Sequence, residues 1–160
     1  YGLPEWNSKQ IASASLLANP GCYPTSAILP LAPLLKEGII DPKFISINSL
    51  SGVSGAGRSA SLEMSFAEVN ESVRAYKVGT HQHQPEIQSV LETISGRALS
   101  LSFIPHLLPM TRGIYTTTTA VLAKQVNERD ILDVYDTYEG EKGAQFDQWL
   151  KDTWNSLPNK

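Results

Sequence analysis

The residue with the greatest chemical potential is Cys22, the single cysteine of the chain. It follows Asn19-Pro20-Gly21, a turn signal, and precedes Tyr23-Pro24-Thr25. Beyond Thr25, Ala27, Ile28, Leu31, Leu34 and Leu35 recur at helical spacing, and Pro24 suits a first helical turn. The sulfur is therefore expected at a helix N-terminus. There, unpaired N–H groups and the positive end of the helix dipole stabilise a thiolate, the nucleophilic form of the side chain. Gly21 lets the backbone turn tightly and leaves room for a substrate. The same N–H groups could hold the oxyanion of a tetrahedral intermediate. A lone cysteine can also be a small buried apolar residue, but the turn before it and the helix after it favour a reactive thiol.

Two imidazoles stand close in sequence in Thr80-His81-Gln82-His83-Gln84-Pro85-Glu86-Ile87. Residues 75–83 read as extended, and side chains two apart on an extended segment face the same way. Either histidine could take a proton from Cys22 and later return one. Glu86, in the first turn of the following helix, could orient an imidazole as the third member of such constellations does. His-x-His is also a common metal-ligand pair, but the only other histidine is His106 and no acidic cluster lies nearby in sequence, so a metal site is the weaker reading. The small-residue loop Ser51–Ser61 contains Gly52, Gly55 and Gly57, followed by Arg58. It matches neither a dinucleotide fingerprint nor a P-loop, yet its backbone N–H groups could cradle an anion. Arg112 opens the threonine-rich segment, and its guanidinium could clamp a carboxylate or phosphate.

The elements that must position these groups follow from patterning. A short helix is expected over 7–14, then an extended piece over 15–19. The helix after Thr25 should be kinked by Pro30 and Pro33 and stopped by Lys36 and Gly38. Residues 43–50 alternate apolar and polar as a half-buried strand does. Pro85 opens a helix to about Ile94, closed by Ser95-Gly96. Strands are expected over 99–104, ending at Pro105, and over 113–123, where four consecutive threonines favour the extended state. An amphipathic helix over 128–138 and a tail helix over 146–157 complete the list. Helices mixed with strands adjacent in order indicate an α+β fold, a mixed sheet flanked by helices, in a single domain over 1–160.

Composition narrows the function classes. The 160 residues carry 13 Lys+Arg against 16 Asp+Glu, a net charge of −3, which gives no drive toward nucleic acid. No apolar run approaches the ~20 residues of a membrane span. One cysteine excludes an internal disulfide framework and fits a reducing compartment, the cytoplasm. The chain begins at Tyr1 and has methionine only at positions 64 and 110, so a piece of a longer protein is expected.

Asn19-Pro-Gly-Cys-Tyr-Pro-Thr25 resembles the active-site motif of the N-acetyl-gamma-glutamyl-phosphate reductases, enzymes of arginine biosynthesis. Four further stretches match in the same order: Tyr1-Gly-Leu-Pro-Glu5, Ser51-Gly-Val-Ser-Gly-Ala-Gly-Arg58, His81-Gln-His-Gln-Pro-Glu-Ile87, and Pro105-His-Leu with Arg112-Gly-Ile. The resemblance implies a two-domain, NADP-dependent enzyme. This chain would be the catalytic-cysteine segment and most of a second domain like the C-terminal domain of glyceraldehyde-3-phosphate dehydrogenase. It implies Cys22 as nucleophile on an acyl phosphate, His81, His83 and Glu86 as its catalytic partners, and Ser51, Gly52, Ser54, Arg58 and Arg112 as substrate contacts. Gly55 and Gly57 would lie toward NADP, which is held mainly by a domain outside this chain, so the isolated chain is expected to be inactive. A homo-oligomer through the sheet face is expected, with no nucleic-acid or membrane partner. Gln82 stands where the family often has Arg, and the resemblance fades after Lys124. The competing readings are a related semialdehyde dehydrogenase acting on aspartyl or aminoadipyl phosphate, a cysteine hydrolase, and a non-catalytic dimerisation domain.

Overall fold

The computed structural model describes residues 1–56, 62 and 65–138. Internal contacts group the chain into two compact units, Pro20–Lys124 and a second made of Tyr1–Asn19 with the chain from Gln125. Within the second unit, helix α1 spans Pro4–Ser13, with Pro4 in its first turn and a break in helical geometry at Asn7. It starts earlier than the sequence pattern suggests because Pro4 supplies a preset helical φ. Residues 15–19 form no strand, and a helix, α5, occupies 128–138 as expected. The expected tail helix lies outside the described residues.

The unit Pro20–Lys124 is a four-stranded mixed sheet with helices packed on one face. Helix α2 (Cys22–Lys36) leads into strand β1 (Ile40–Ser51). After a short 3-10 turn at Val53–Ala56 come the single-turn helix α3 (Phe66–Val69), strand β2 (Arg74–Ala75) and helix α4 (His83–Ser95). Strands β3 (Leu101–Leu107) and β4 (Ile114–Leu122) complete the unit. The strand order is β2-β3-β1-β4, with β1 and β3 parallel and the other two pairings antiparallel. This is the expected mixed α+β sheet.

Helix α2, expected to kink at Pro30 and Pro33, continues through both prolines and ends at Lys36. Its burial explains the continuity. Ala27, Ile28, Leu31, Ala32 and Leu35 are all buried, so packing outweighs the lost backbone hydrogen bonds. Gly38 follows in a left-handed conformation (φ 62°), which favours glycine. Strand β3 also differs from its sequence reading, because it runs through Pro105 to Leu107. The Pro105 carbonyl accepts from the Tyr76 N–H at 3.0 Å, so the position that lacks an N–H faces the short β2 side, where a strand tolerates proline.

The core lies between the sheet and α2 and α4. Ile45, Ile47, Phe103 and Leu107 point into it from the strands, and Ile87 and Leu91 from α4. Ser49 is fully buried on the same face. Its hydroxyl pairs with Thr116 Oγ1 at 2.9 Å, and Thr116 Oγ1 pairs with Ser26 Oγ at 2.9 Å. These bonds tie β1, β4 and α2 together without leaving a buried polar group unpaired. The opposite face of the sheet carries exposed Phe44, Tyr115 and Val121. Replacing Ile47 with Ala should remove about 2–5 kcal/mol of stability by opening a core cavity. Phe44→Ala should change stability by no more than about 0.5 kcal/mol in the free chain. Urea unfolding of the two variants checks the assignment of the faces.

Candidate active site

Cys22 is the first residue of α2 and is exposed. Gly21 is the N-cap, in an extended conformation (ψ 160°), and its carbonyl accepts from the Thr25 N–H and hydroxyl, both at 3.0 Å. The N–H groups of Cys22 and Tyr23 have no partner within the helix, and Pro24 has no N–H. Cys22 and Tyr23 border the same space. That space is a cavity of about 220 Å³. Its wall includes Cys22, Tyr23, His81 and His83, Ser51, Gly52, Gly55 and Leu107, and Tyr76, Lys77 and Gln82.

The histidines arrive by a different route from the one expected. Residues 77–80 form a turn closed by the Thr80 N–H on the Lys77 carbonyl at 3.1 Å, and His83 is already helical. The same-side argument for an extended 75–83 segment therefore fails, because only Arg74–Ala75 is strand. The rings still meet, with centroids 4.8 Å apart, because the chain turns into α4 between them. The His83 N–H donates to His81 Nδ1 at 3.1 Å. A neutral His81 must therefore carry its proton on Nε2.

His81 is buried among rings. Tyr23, Tyr76 and Phe103 all meet it edge-on at 5.5–5.6 Å. Burial, the neighbouring His83 and the Lys77 charge push its pKa down to about 4, so it is neutral through the physiological range. Burial also lowers the pKa of His83, and the carboxylate of Glu86 opposes that shift. The Tyr23 and Tyr76 hydroxyls pair at 2.8 Å. Burial raises the pKa of both phenols, so they stay protonated hydrogen-bond partners.

Gly21 is the point where the two helices meet. An added Cβ there would lie 2.5 Å from His83 Nε2. The Gly21 N–H donates to Glu86 Oε1 at 3.1 Å. Glu86 was expected to orient an imidazole. This bond fastens the turn before Cys22 to the first turn of α4. Gly52 has no room either, since a Cβ would sit 2.8 Å from the Arg112 nitrogen and the Met110 oxygen.

The structure thus brings together Cys22, His81, His83, Ser51, Gly52 and Gly55, with Glu86 behind them. Ser54 is exposed and bonds through its N–H to Thr111, away from the cavity wall. Arg112 is exposed on the loop that packs against Gly52 and does not line the cavity. Its charge alone could not show which way it faces. Arg58 and Gly57 lie outside the described residues. No group of metal ligands assembles among the described residues. Tyr23, Tyr76 and Lys77 escaped the sequence reading. Tyr23 sits inside the cysteine motif and could have been suspected, whereas Tyr76 and Lys77 precede the histidine motif with no pattern of their own.

The family model described as the semialdehyde dehydrogenase dimerisation domain matches residues 22–153. The match continues past Lys124, where the sequence reading saw the resemblance fade. The N-acetyl-gamma-glutamyl-phosphate reductase of Pelotomaculum thermopropionicum is 56% identical over 142 residues, covering 88% of this chain and 41% of the relative. That of Moorella thermoacetica is 48% identical over 158 residues, covering 96% of this chain and 46% of the relative. The chain thus spans less than half the length of these curated relatives. A solved structure of a probable aspartate-semialdehyde dehydrogenase from Pseudomonas aeruginosa superposes with a TM-score of 0.61 at 18% identity, covering 81% of this chain and 46% of that one, a likeness of fold.

Gly21→Ala should force the His83 imidazole out of its seat at a cost of about 1–3 kcal/mol. Urea unfolding should show the loss. The His83 ring resonances should move while those of His106, which bonds to the Ile104 carbonyl on β3, stay in place. Unchanged stability and unchanged His83 resonances would contradict the contact.

Proposed function

The chain belongs to the semialdehyde dehydrogenase dimerisation-domain family, and we propose that Cys22 is the nucleophile of an NADP-dependent reductase that converts N-acetyl-gamma-glutamyl phosphate to N-acetyl-glutamate semialdehyde and phosphate. The observation that carries this reading is an exposed sulfur at a helix start, sharing one cavity with two neutral histidines. Identity near 50% to named reductases supports the substrate, where the likeness to the aspartate enzyme extends only to fold.

The Cys22 thiolate attacks the acyl carbon, and a C–S bond forms. The oxyanion that develops is held by the unpaired N–H groups at the start of α2. Collapse breaks the bond from the acyl carbon to the phosphate oxygen, phosphate leaves with that electron pair, and a thioester remains. His83, whose Nε2 lies against Gly21, accepts the thiol proton and later gives a proton to the oxygen of the reduced adduct. His81, fixed with Nδ1 as an acceptor, serves as a neutral donor through Nε2. As the C–S bond breaks, the adduct's hydroxyl proton passes back to His83, the carbonyl re-forms to release the aldehyde, and the sulfur leaves with the bonding pair and regains that proton, which restores the thiol form of the site.

A bound nicotinamide supplies the hydride that reduces the thioester carbon. Gly55 borders the cavity and would stand beside that group, with a Cβ there pressed to 3.3 Å from Ser51 Oγ. The main seat, a Gly-rich strand-turn-helix, is not among the motifs of this sequence, so the isolated chain should not turn over NADPH. A homo-oligomer, formed through the open sheet face that carries Phe44, Tyr115 and Val121, and a cytoplasmic setting complete the reading.

The full-length protein should reduce N-acetyl-gamma-glutamyl phosphate at least about a hundredfold faster than aspartyl phosphate, a ratio within reach of a site built to bond a substrate's polar groups. Cys22→Ser should lower turnover by about a thousandfold or more, since the covalent route is lost. Spectrophotometric assay at saturating NADPH checks both. Preference for aspartyl phosphate, or full activity in the serine variant, would contradict the reading.

A further inference from the structure

We propose that Lys77 is the cation that receives the phosphoryl group of the substrate and holds the departing phosphate. This rests on the reading of Cys22 as nucleophile toward an acyl phosphate. A phosphoryl group enters the cavity doubly charged, and its charge grows as the carbon–oxygen bond breaks and phosphate leaves with the bonding pair. An anion of that charge needs a cation or several strong donors in a water-poor site. Both histidines are held toward the neutral form by burial, so neither supplies a lasting positive charge. Arg112 does not line the cavity. Among the described residues of the wall, Lys77 carries the one permanent cation.

Two further observations bear on how Lys77, an exposed residue, is placed beside the cavity. Its backbone is left-handed, with φ 46°, a region that a residue with a Cβ enters only at a cost. The strain is maintained by the turn it opens, where the Thr80 N–H bonds to the Lys77 carbonyl and Gly79 adopts φ 71°. The preceding residue is pinned to the sheet by the Tyr76 N–H on the Pro105 carbonyl at 3.0 Å. The lysine is thus delivered to the cavity from a fixed turn. It also has no ion-pair partner among the described residues, so its charge is available to a ligand. Its field reaches the site, because it opposes protonation of His81.

The test uses inorganic phosphate as the probe and the full-length protein. Cys22 is alkylated with iodoacetamide, followed by peptide mass, as phosphate rises at constant ionic strength. Phosphate should protect the wild-type sulfur. Lys77→Met should need at least about ten times more phosphate for half-protection, the scale set by loss of a hydrogen bond to a charged group. Lys77→Arg should keep most of the protection. Lys77→Gly removes the same charge while suiting the left-handed backbone, so it should fold at least as well as wild type and lose protection like the Met variant. Wild-type protection in the Met and Gly variants, no protection of wild type, or loss in the folded Arg variant would each overturn the assignment. Alkylation needs neither nicotinamide nor turnover, so its outcome stands apart from the acyl-phosphate assay that decides the reductase reading.

Discussion

The site depends on a backbone position that cannot carry a side chain. At Gly21 the start of α2 comes so near the start of α4 that a Cβ would overlap the His83 ring. The Gly21 N–H and Glu86 close the same gap with a hydrogen bond at 3.1 Å. This contact joins segments 65 residues apart in sequence. It fixes where the sulfur stands relative to both imidazoles. The buried apolar side chains of the two helices hold the helices in place, so the core and the chemistry share one packing arrangement.

The electrostatics follow from the same packing. His81 is enclosed by Tyr23, Tyr76 and Phe103, an environment that resists charge. His83 is also buried but has Glu86 beside it, which partly restores its basicity. Two imidazoles in contact can therefore take different roles, one a fixed donor and the other a proton carrier. On the proposed reading, an anionic substrate beside these neutral histidines needs a cation, and Lys77 on its strained turn would supply it.

Much of this was legible in the sequence. The helix after Gly21 followed from apolar spacing, and β4 from its threonines, one of which, Thr116, turns out to bond Ser26 and Ser49 inside the fold. The C-cap at Gly96 is left-handed as a terminating glycine should be. What failed did so for tertiary reasons. Proline rules predicted an end to β3 at Pro105, but a short neighbouring strand made that proline harmless; in α2, where a kink was expected, burial carries the helix on through Pro30 and Pro33. The extended reading of 75–83 rested on local composition, whereas the turn at Lys77–Thr80 and the burial of His81 start α4 at His83. The cysteine, both histidines and the glycines came from residue type and motif. Tyr76 and Lys77 did not, because their proximity to Cys22 is created by the pairing of β2 with β3.

The central claim is that the sulfur of Cys22 forms a covalent bond to an activated acyl group within this cavity. Mixing the full-length protein with N-acetyl-gamma-glutamyl phosphate in the absence of any nicotinamide tests it most directly, with released phosphate and the mass of the Cys22 peptide followed together. A burst of one phosphate per site is expected, with an N-acetylglutamyl adduct on Cys22 that hydroxylamine removes. Phosphate release without an adduct, or an adduct on another residue, would contradict it.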